Sequence, residues 1–270
     1  MAIESCGRDW LLHSHSPSKV QRIEAYFGGH GYEPHRHDTY AIGRTLAGVQ
    51  SFRYRRAIRH SLPGGTLVLH PDELHDGMAG TEAGFHYRML YIDPLLIQQV
   101  LAGKPLPFIA GGLSDDIRLR RTTESFMQAM DYSFESLEED DAIYDLAHAL
   151  AAVAGKQRGR RTFDYPAAER ARAYIHERNG ASVTLEELEL ISGRDRWSLS
   201  RDFRALFGTS PYRYVTLRRL DRCRELLRHG TGLADAALAA GFFDQSHMTR
   251  HFVRGFGLPP ARWLSLLKSR

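Results

Sequence analysis

The N-terminal part of the chain alternates hydrophobic and polar positions in short runs. Between residues 23 and 93 these runs are separated by Gly and Pro, and Phe52 and Tyr54 alternate with Arg53 and Arg55. A period of two is typical of strands that bury one face. Many short strands joined by Gly and Pro turns predict an antiparallel barrel or sandwich.

A helical period replaces this alternation after Pro94. The run LLIQQVLAG predicts a short helix that ends at Gly103, and the Ser-Asp-Asp sequence at 114–116 predicts the N-cap of another. Apolar residues at helical spacing then predict two amphipathic helices, which could cover the barrel or pair two subunits. They are Phe126, Met127, Met130, Phe134 and Leu137 in the first helix, and Ile143, Ala147 and Leu150 in the second.

The C-terminal part has a helical pattern almost throughout, and it repeats. WSLSRDFRALFGTSPYRY aligns with SHMTRHFVRGFGLPPARW at a spacing of 49 residues, so that Arg201 matches Arg250 and Phe207-Gly208 matches Phe256-Gly257. Two copies of one supersecondary unit are therefore predicted.

Each copy has the residues of a helix-turn-helix. In the first, Thr184 and Glu187 form a capping-box pattern, Gly193 supplies a tight turn, and a second helix is expected to begin near Asp195. In the other copy Gly241 makes the turn and Asp244 is a good N-cap. A long helix over about 212–227 is predicted to join the units.

Composition indicates a soluble protein of two domains. The 270 residues are 43% hydrophobic and 25% charged, and no apolar run approaches the ~18 residues needed to cross a membrane. No secretory signal is visible, so we expect a cytoplasmic protein without membrane contact. The two cysteines, Cys6 and Cys223, predict two reduced thiols. Residues 166–270 carry 18 Lys and Arg against 11 Asp and Glu, which favours a polyanionic partner for this half.

The C-terminal ~100 residues resemble the DNA-binding domain of AraC-type (AraC/XylS) transcription regulators. The run GFFDQSHMTRHFVRGFGLPPARW carries much of this resemblance. It implies that two recognition helices enter successive major-groove segments of double-stranded DNA, with half-sites about 10 base pairs apart. The base-reading positions that it implies are Arg196, Trp197, Ser200, Arg201, Gln245, Ser246, His247 and Arg250.

The run PHRHDTYAIG resembles the first motif of cupin-type effector domains, which commonly precede this DNA-binding domain. His35 and His37 fit the His-x-His pair of metal-binding cupins, and His75 fits the second-motif histidine. The positions of the expected Glu fall within 40–42, which are Tyr, Ala and Ile. The missing carboxylate favours a metal-free ligand pocket, with a divalent metal on the three histidines and catalysis as alternatives. The predicted ligand-binding residues are His35, His37, Tyr40, Tyr54 and His75.

We therefore predict an α+β protein: an antiparallel cupin-like β-barrel with flanking helices, then an all-α domain of two helix-turn-helix units joined by a long helix. The predicted boundaries are 1–113 for the barrel, 114–155 for a helical dimerisation or lid segment, 156–165 for a linker, and 166–270 for the DNA-binding domain.

The predicted function is sequence-specific transcription regulation, controlled by a small-molecule effector in the barrel, without catalysis or an obligatory cofactor. A homodimer and contact with RNA polymerase are expected. The alternatives are a metal-binding cupin, as sensor or enzyme, fused to a DNA-binding module, and a ligand-free regulator whose barrel serves protein contacts. Nothing in the sequence decides between activator and repressor.

Overall fold

Two antiparallel sheets form the N-terminal part of the computed structural model, which describes residues 9–14, 18–128, 130–155, 162–178 and 183–267. The strands run in the order β1-β2-β9-β4-β7-β10 in one sheet and β3-β8-β5-β6 in the other. They are β1 (Trp10–His13), β2 (Gln21–Phe27), β3 (His30–His35), β4 (Tyr40–Gly48), β5 (Gln50–Tyr54), β6 (Ala57–Ser61), β7 (Thr66–Leu69), β8 (His75–Ala79), β9 (Phe85–Ile92) and β10 (Leu113–Ser114). The predicted antiparallel β domain is confirmed.

Strand β5 shows the burial pattern that the alternation in its sequence predicts. Phe52 and Tyr54 are buried on β5, while Arg53 and Arg55 are exposed, as their period of two predicts. Strands β1 and β10 lie outside the range 23–93 in which strands were predicted, and no alternating run marks β3 or β8 within it. The sequence of β3 contains Pro34 and that of β8 begins His-Asp-Gly, and neither composition favours a strand.

Three helices follow the sheets: α1 (Pro94–Leu101), α2 (Ile117–Thr122) and α3 (Ser136–Ala154). The predicted cap is present at Asp116, whose carboxylate accepts a hydrogen bond from the Arg118 amide at 2.9 Å. Helix α3 carries the second predicted apolar stripe on its buried face.

The prediction of the first amphipathic helix is wrong. Only a single 3₁₀ turn, Ser125–Met127, forms there, and the described residues between it and α3 are not helical. The Met127 carbonyl accepts a hydrogen bond from Arg88 at 2.6 Å, and the Tyr132 carbonyl accepts one from Arg22. Arginines of the barrel thus bind carbonyl oxygens that a helix would have used internally, and this ties the segment to the sheet.

The C-terminal part consists of helices in the order that the repeat predicts. Helix α7 joins the two units where a long helix was expected. The helices are α4 (Tyr165–Glu177), α5 (Leu185–Ser192), α6 (Arg196–Phe207), α7 (Pro211–Arg228), α8 (Leu233–Ala239), α9 (Gln245–Phe256) and α10 (Pro260–Leu267). Most of the predicted linker, residues 156–161, lies outside the described residues.

The predicted turns and caps of the two units are confirmed. Thr184 and Glu187 form a reciprocal capping box, and Asp195 and Asp244 accept hydrogen bonds from the first amides of α6 and α9. Gly193 has φ 71°, in the left-handed region that favours glycine.

One hydrophobic core joins the barrel to the second helix-turn-helix unit. Phe27, Phe85 and Tyr87 of the barrel belong to the same buried cluster as Phe252 and Trp263 of α9 and α10. The first unit has its own core around α6. The second unit is therefore packed onto the open end of the barrel by apolar contact.

Candidate functional site

Three histidines converge at one end of the barrel. His35 ends β3, His75 begins β8, and the two are directly paired across the strands. His37 lies two residues beyond β3, and its ring centroid is 4.8 Å from that of His75 and 6.0 Å from that of His35. One ring nitrogen of each histidine lies within 4.8 Å of the others. The structure thus brings together the three histidines that the sequence singled out.

Burial keeps the three imidazoles neutral. Removal from water, followed by the neighbouring imidazole, lowers the pKa of His37 and that of His75 to about 3 each, and lowers the pKa of His35 well below its usual value. Each ring therefore has one nitrogen with a proton and one with a free lone pair at neutral pH.

The structure does not bring Tyr40 and Tyr54 to the histidine cluster, so this part of the predicted ligand set is corrected. Tyr40 donates a hydrogen bond to the Pro107 carbonyl at 2.7 Å. The Tyr54 hydroxyl is 2.6 Å from Nδ1 of His70, and Nε2 of the same ring accepts a hydrogen bond from the Ile109 amide at 2.8 Å. These side chains fix the connection after α1 to the barrel.

The histidines line a partly enclosed cavity of about 90 Å³. Its barrel wall includes Tyr32, Gln50, Tyr87 and Tyr91, and its remaining wall comes from the second helix-turn-helix unit, through Arg224, Phe256, Leu258 and Trp263. The guanidinium of Arg224 lies 4.6 Å from the Phe256 ring centroid and 5.5 Å from that of Trp263.

The sequence did not predict that the helical domain forms part of the cavity wall. Phe256 was identified only as a position of the repeat, and no local pattern marks Arg224 or Trp263 as neighbours of the barrel. The Nε atom of Arg224 is buried without a hydrogen-bond partner in the described part of the chain. A donor is thereby left available at the cavity.

The two helix-turn-helix units dock on the barrel domain through equivalent positions of the repeat. The Arg254 carbonyl in α9 accepts the Arg36 amide at 2.9 Å, and the Ala205 carbonyl, 49 residues earlier in α6, accepts the Leu106 amide at 3.0 Å. The last turn of a helix leaves its carbonyls without internal partners. The N-terminal domain supplies those partners for both second helices.

The glycines that end α6 and α9 lie close against the N-terminal domain. A Cβ built on Gly257 would lie 2.6 Å from Nδ1 of His35, and one built on Gly208 would lie 2.3 Å from Cβ of Pro71. The Gly257 carbonyl also accepts the Glu33 amide at 2.8 Å. The strand that carries His35 is therefore in direct contact with the end of α9.

Two ion pairs hold α7 to the same edge of the barrel. Asp38, next to His37 in sequence, is 2.6 Å from Arg218, and Asp72 is 3.1 Å from Arg213. Only 9% of the Asp38 side chain is exposed, so this pair is shielded from solvent. The Asp38–Arg218 ion pair thus joins the segment that carries His37 to α7.

The docked domain leaves the outer faces of α6 and α9 in contact with solvent. Leu199, Phe203, Met248 and Phe252 are buried, as predicted. Trp197 is 80% exposed, which is unusual for so large an apolar side chain. Of the other predicted base-reading residues, those exposed are Arg201, Gln245, Ser246 and Arg250, and those half-buried are Arg196, Ser200 and His247.

Two of these arginines make ion pairs within the protein. Arg196 is 3.0 Å from Glu189, at the end of α5, and Arg201 is 3.1 Å from Asp202. Asp202 is buried, and it also binds Arg194 at 2.9 Å. These carboxylates orient the guanidinium groups along the exposed face of the first unit.

Comparison with known proteins agrees with this architecture. Residues 18–147 match the family described as AraC-like ligand binding domain, and residues 191–265 match a helix-turn-helix domain family. YbfI of Bacillus subtilis (strain 168), an HTH-type transcriptional regulator, is 24% identical over 235 residues, which are 84% of this chain and 86% of YbfI. The probable transcription factor PqrA of Proteus vulgaris is 30% identical over 82 residues, 30% of this chain and 67% of PqrA.

Solved structures of ToxT from Vibrio cholerae share the fold. One superimposes with a TM-score of 0.64 at 10% identity, covering 97% of this chain and 98% of ToxT. Another, of ToxT from strain SCE256 with a bound unsaturated fatty acid, has a TM-score of 0.64 at 11% identity and covers 100% of this chain and 99% of ToxT.

A β domain with a cavity, joined to paired helix-turn-helix units with exposed second helices, defines a DNA-binding transcription regulator. The chain belongs to the AraC-type transcription regulators. Within the described ranges, no helix has the length and apolar character needed to cross a membrane.

Proposed function

We propose that a small molecule bound in the barrel cavity controls DNA binding by this regulator. One observation carries the proposal: the cavity is walled by both domains, with His35, His37 and His75 on one side and Phe256 and Trp263 on the other. A molecule that contacts both walls gains free energy only when the domains are docked. It therefore stabilises the docked arrangement relative to an undocked one.

The cavity limits the size and polarity of the effector. Its volume of about 90 Å³ is well below the roughly 300–1,000 Å³ of pockets for drug-sized ligands. The hydroxyls of Tyr32 and Tyr87 are 2.6 Å apart, so one of their two protons is already donated within the pair. The remaining proton, the Tyr91 hydroxyl and the free donor on Arg224 favour a compact molecule that carries hydrogen-bond acceptors. ToxT has been solved with a bound unsaturated fatty acid, which supports an organic ligand in a β domain of this fold.

The exposed faces of α6 and α9 are proposed to read bases in successive major-groove segments. Arg201 and Arg250 suit guanine, and Gln245 suits adenine, because these pairs form two parallel hydrogen bonds. The exposed indole of Trp197 suits a thymine methyl group or a sugar. The same assignment covers Arg196, Ser200, Ser246 and His247, which lie on these two faces.

We further propose a homodimer formed through the outer face of α3, with RNA polymerase as an additional partner. Leu137 and Tyr144 are 73% and 55% exposed on this helix, and large apolar side chains at this exposure favour a protein contact. The proposal includes no catalytic step. Sedimentation of the Leu137→Glu variant against wild type tests the dimer, since a charge at the interface should yield a monomer.

The effector proposal is tested with two measurements on the full chain. A thermal-shift screen of small carboxylates, amino acids, sugars and aromatic compounds should identify a ligand that raises the melting temperature by mass action. That ligand should then change the affinity for operator DNA, measured by fluorescence anisotropy. The matched variants are Trp263→Ala, which removes part of the cavity wall, and Tyr212→Ala, an exposed aromatic outside that wall. A ligand response that survives Trp263→Ala unchanged would contradict a site between the domains.

A further inference from the structure

The turn between α8 and α9 is longer than the equivalent turn of the first unit. There, one residue separates the turn glycine from the aspartate that caps α6, whereas Phe242 and Phe243 together separate the glycine from the aspartate before α9. Phe242 is buried in the core of the second unit, but Phe243 is 84% exposed. The longer turn therefore adds a phenylalanine whose side chain stays in solvent next to the second recognition helix.

Phe243 lies at the end of α9 that is assigned to base reading. The last turn of α9 is bound to the N-terminal domain through the Arg254 carbonyl, and a helix of 12 residues places its first turn about 18 Å away. Recognition helices contact base edges through their N-terminal residues. Gln245 and Ser246, which begin α9 just after Phe243, are both exposed.

The first unit presents an aromatic side chain at the same end of its own recognition helix. Trp197 lies in the first turn of α6 and is likewise exposed. The equivalent residue of α9, 49 positions later, is Ser246, whose side chain offers little apolar surface. Phe243 supplies that surface from three residues earlier in the chain. Both recognition helices thus carry one exposed aromatic ring at the end assigned to the major groove.

Two histidines of α9 hold the backbone of the turn. The Phe243 amide donates a hydrogen bond to Nδ1 of His247 at 3.4 Å. The proton of the neutral His247 ring is therefore on Nε2, which lies 3.0 Å from Nε2 of His251 and donates to it. Removal from water, followed by the neighbouring His247, lowers the pKa of His251, so this ring accepts as a neutral group. The Phe242 ring packs against both imidazoles, with centroid distances of 5.6 and 5.9 Å.

This arrangement has two consequences for recognition. Both nitrogens of His247 are engaged within the protein, so neither is left for a base. The turn is fixed before DNA arrives, so that little conformational freedom of Phe243 is lost on binding. In the major groove the apolar group that a base pair presents is the 5-methyl group of thymine, and a phenyl ring satisfies none of the hydrogen-bonding groups there.

We propose that Phe243 is a specificity-determining residue of the second unit, which packs against the methyl group of a thymine, and that His247 is a positioning residue that holds Phe243 through its amide. The inference rests on the proposed reading of DNA by α9. It changes the role of His247 from contact with a base to support of Phe243.

The test uses the full chain and an operator that this protein selects from random-sequence duplexes. The half-site of α9 is the one whose selectivity changes in Gln245→Ala. Each thymine in it is replaced in turn by deoxyuridine, which removes only the methyl group. Wild-type protein should lose about 4-fold in affinity at the contacted thymine, measured by fluorescence anisotropy. Phe243→Ala should bind the thymine operator on the order of 10-fold more weakly and should no longer distinguish thymine from deoxyuridine.

The matched control is Leu190→Ala. Leu190 is an equally exposed apolar side chain, 83% accessible, but it lies on α5 of the first unit. This variant should keep the wild-type discrimination between thymine and deoxyuridine at the half-site of α9. Because Phe243 is exposed, the melting temperature of Phe243→Ala should equal that of wild type, so that loss of binding is not loss of fold.

The support by His247 is tested with variants that each keep one part of the ring. His247→Asn places an amide oxygen near the position of Nδ1 and can still accept the Phe243 amide, so it should retain the discrimination. His247→Gln reaches the position of Nε2 instead, and it should lose the discrimination together with His247→Ala. Retention in His247→Gln but not in His247→Asn would assign a base contact to Nε2, and retention in all three variants would remove the positioning role.

Deoxyuridine substitutions without effect on wild type, a selected half-site without thymine, or discrimination that survives Phe243→Ala would overturn the contact itself. Failure of the proposed function is a different result. It would appear as binding without sequence selectivity, or as Gln245→Ala without effect at either half-site, and would overturn both proposals. The thymine contact alone fails if selectivity and its dependence on Gln245 remain.

Discussion

Gly257→Ala is expected to release the second helix-turn-helix unit from the barrel. Gly257 ends α9 with φ 70°, and a Cβ there would lie 2.6 Å from Nδ1 of His35 and 2.9 Å from the Glu33 carbonyl oxygen. The left-handed conformation alone costs an alanine about 1–2 kcal/mol. Since backbone is one of the two obstructing groups, relief requires the end of α9 to move away from β3.

The matched variant is Gly193→Ala. Gly193 ends α5 with φ 71°, and the nearest atom to its built Cβ is a terminal nitrogen of Arg170 at 4.0 Å. Gly193→Ala should therefore lower the free energy of unfolding only by the cost of a left-handed alanine, about 1–2 kcal/mol. Gly257→Ala should also lose the bonds from the Glu33 and Arg36 amides, at about 1 kcal/mol each, for a total of about 3–4 kcal/mol.

Two assays separate these contributions. Denaturant unfolding of the full chains gives the difference in the free energy of unfolding between the two variants. Amide hydrogen exchange then locates it: the Glu33 and Arg36 amides should exchange faster in Gly257→Ala and at the wild-type rate in Gly193→Ala. Equal losses of stability in both variants, with protection of these amides retained, would refute the docking as described.

Two further predictions concern the DNA-reading faces and the barrel. Arg201→Ala and Gln245→Ala should each weaken specific binding to DNA by about 1–3 kcal/mol and relax selectivity at separate half-sites. Footprinting and binding to base-substituted operators measure both effects. An unchanged footprint would count against the placement of these side chains at the bases. Burial raises the pKa of Glu24, but hydrogen bonds from His86 and Arg88 outweigh it, and the net pKa is lowered. Glu24→Gln should therefore lose about 1–3 kcal/mol at pH 7. The difference from wild type should begin to shrink as the pH falls below 4.5, the ordinary pKa of a glutamate, and should be gone once the pH is below the lowered pKa of Glu24, which denaturation at a series of pH values would show.

Features of the fold that depend on neighbours in sequence could be predicted. The caps at Asp195 and Asp244 and the turn at Gly193 follow from side chains and backbone within a few residues. The duplication is equally local, because each copy repeats the residues that build one unit. The histidine cluster was predicted for another reason, the resemblance of its sequence to the cupin motif. In the structure, the pairing of β3 with β8 places His35 opposite His75, and His37 reaches the cluster from the loop after β3.

Features that depend on which surfaces meet could not be predicted. The alternation around Tyr40 indicates that it is buried but does not indicate which side of the sheet it faces, and Tyr40 packs under the helices instead of at the cavity. The stripe at Phe126 has helical spacing, yet barrel arginines bind the carbonyls of that segment. Trp263 lines a cavity only because the second unit docks on the barrel, and no period in the sequence encodes that contact.

Helix α9 belongs to both candidate sites. Its outer face carries Gln245 and Arg250, while its last turn is bound to the strand of His35. Coupling between two sites is reciprocal. If a small molecule at the histidines alters the affinity for operator DNA by some factor, operator DNA must alter the affinity of that molecule by the same factor. Titration of the molecule into the full chain, with and without operator, would measure this coupling from the side of the barrel. Coupling that disappears in Gly257→Ala would support the docking of α9 as the connection between the two sites, and coupling that persists in this variant would refute it.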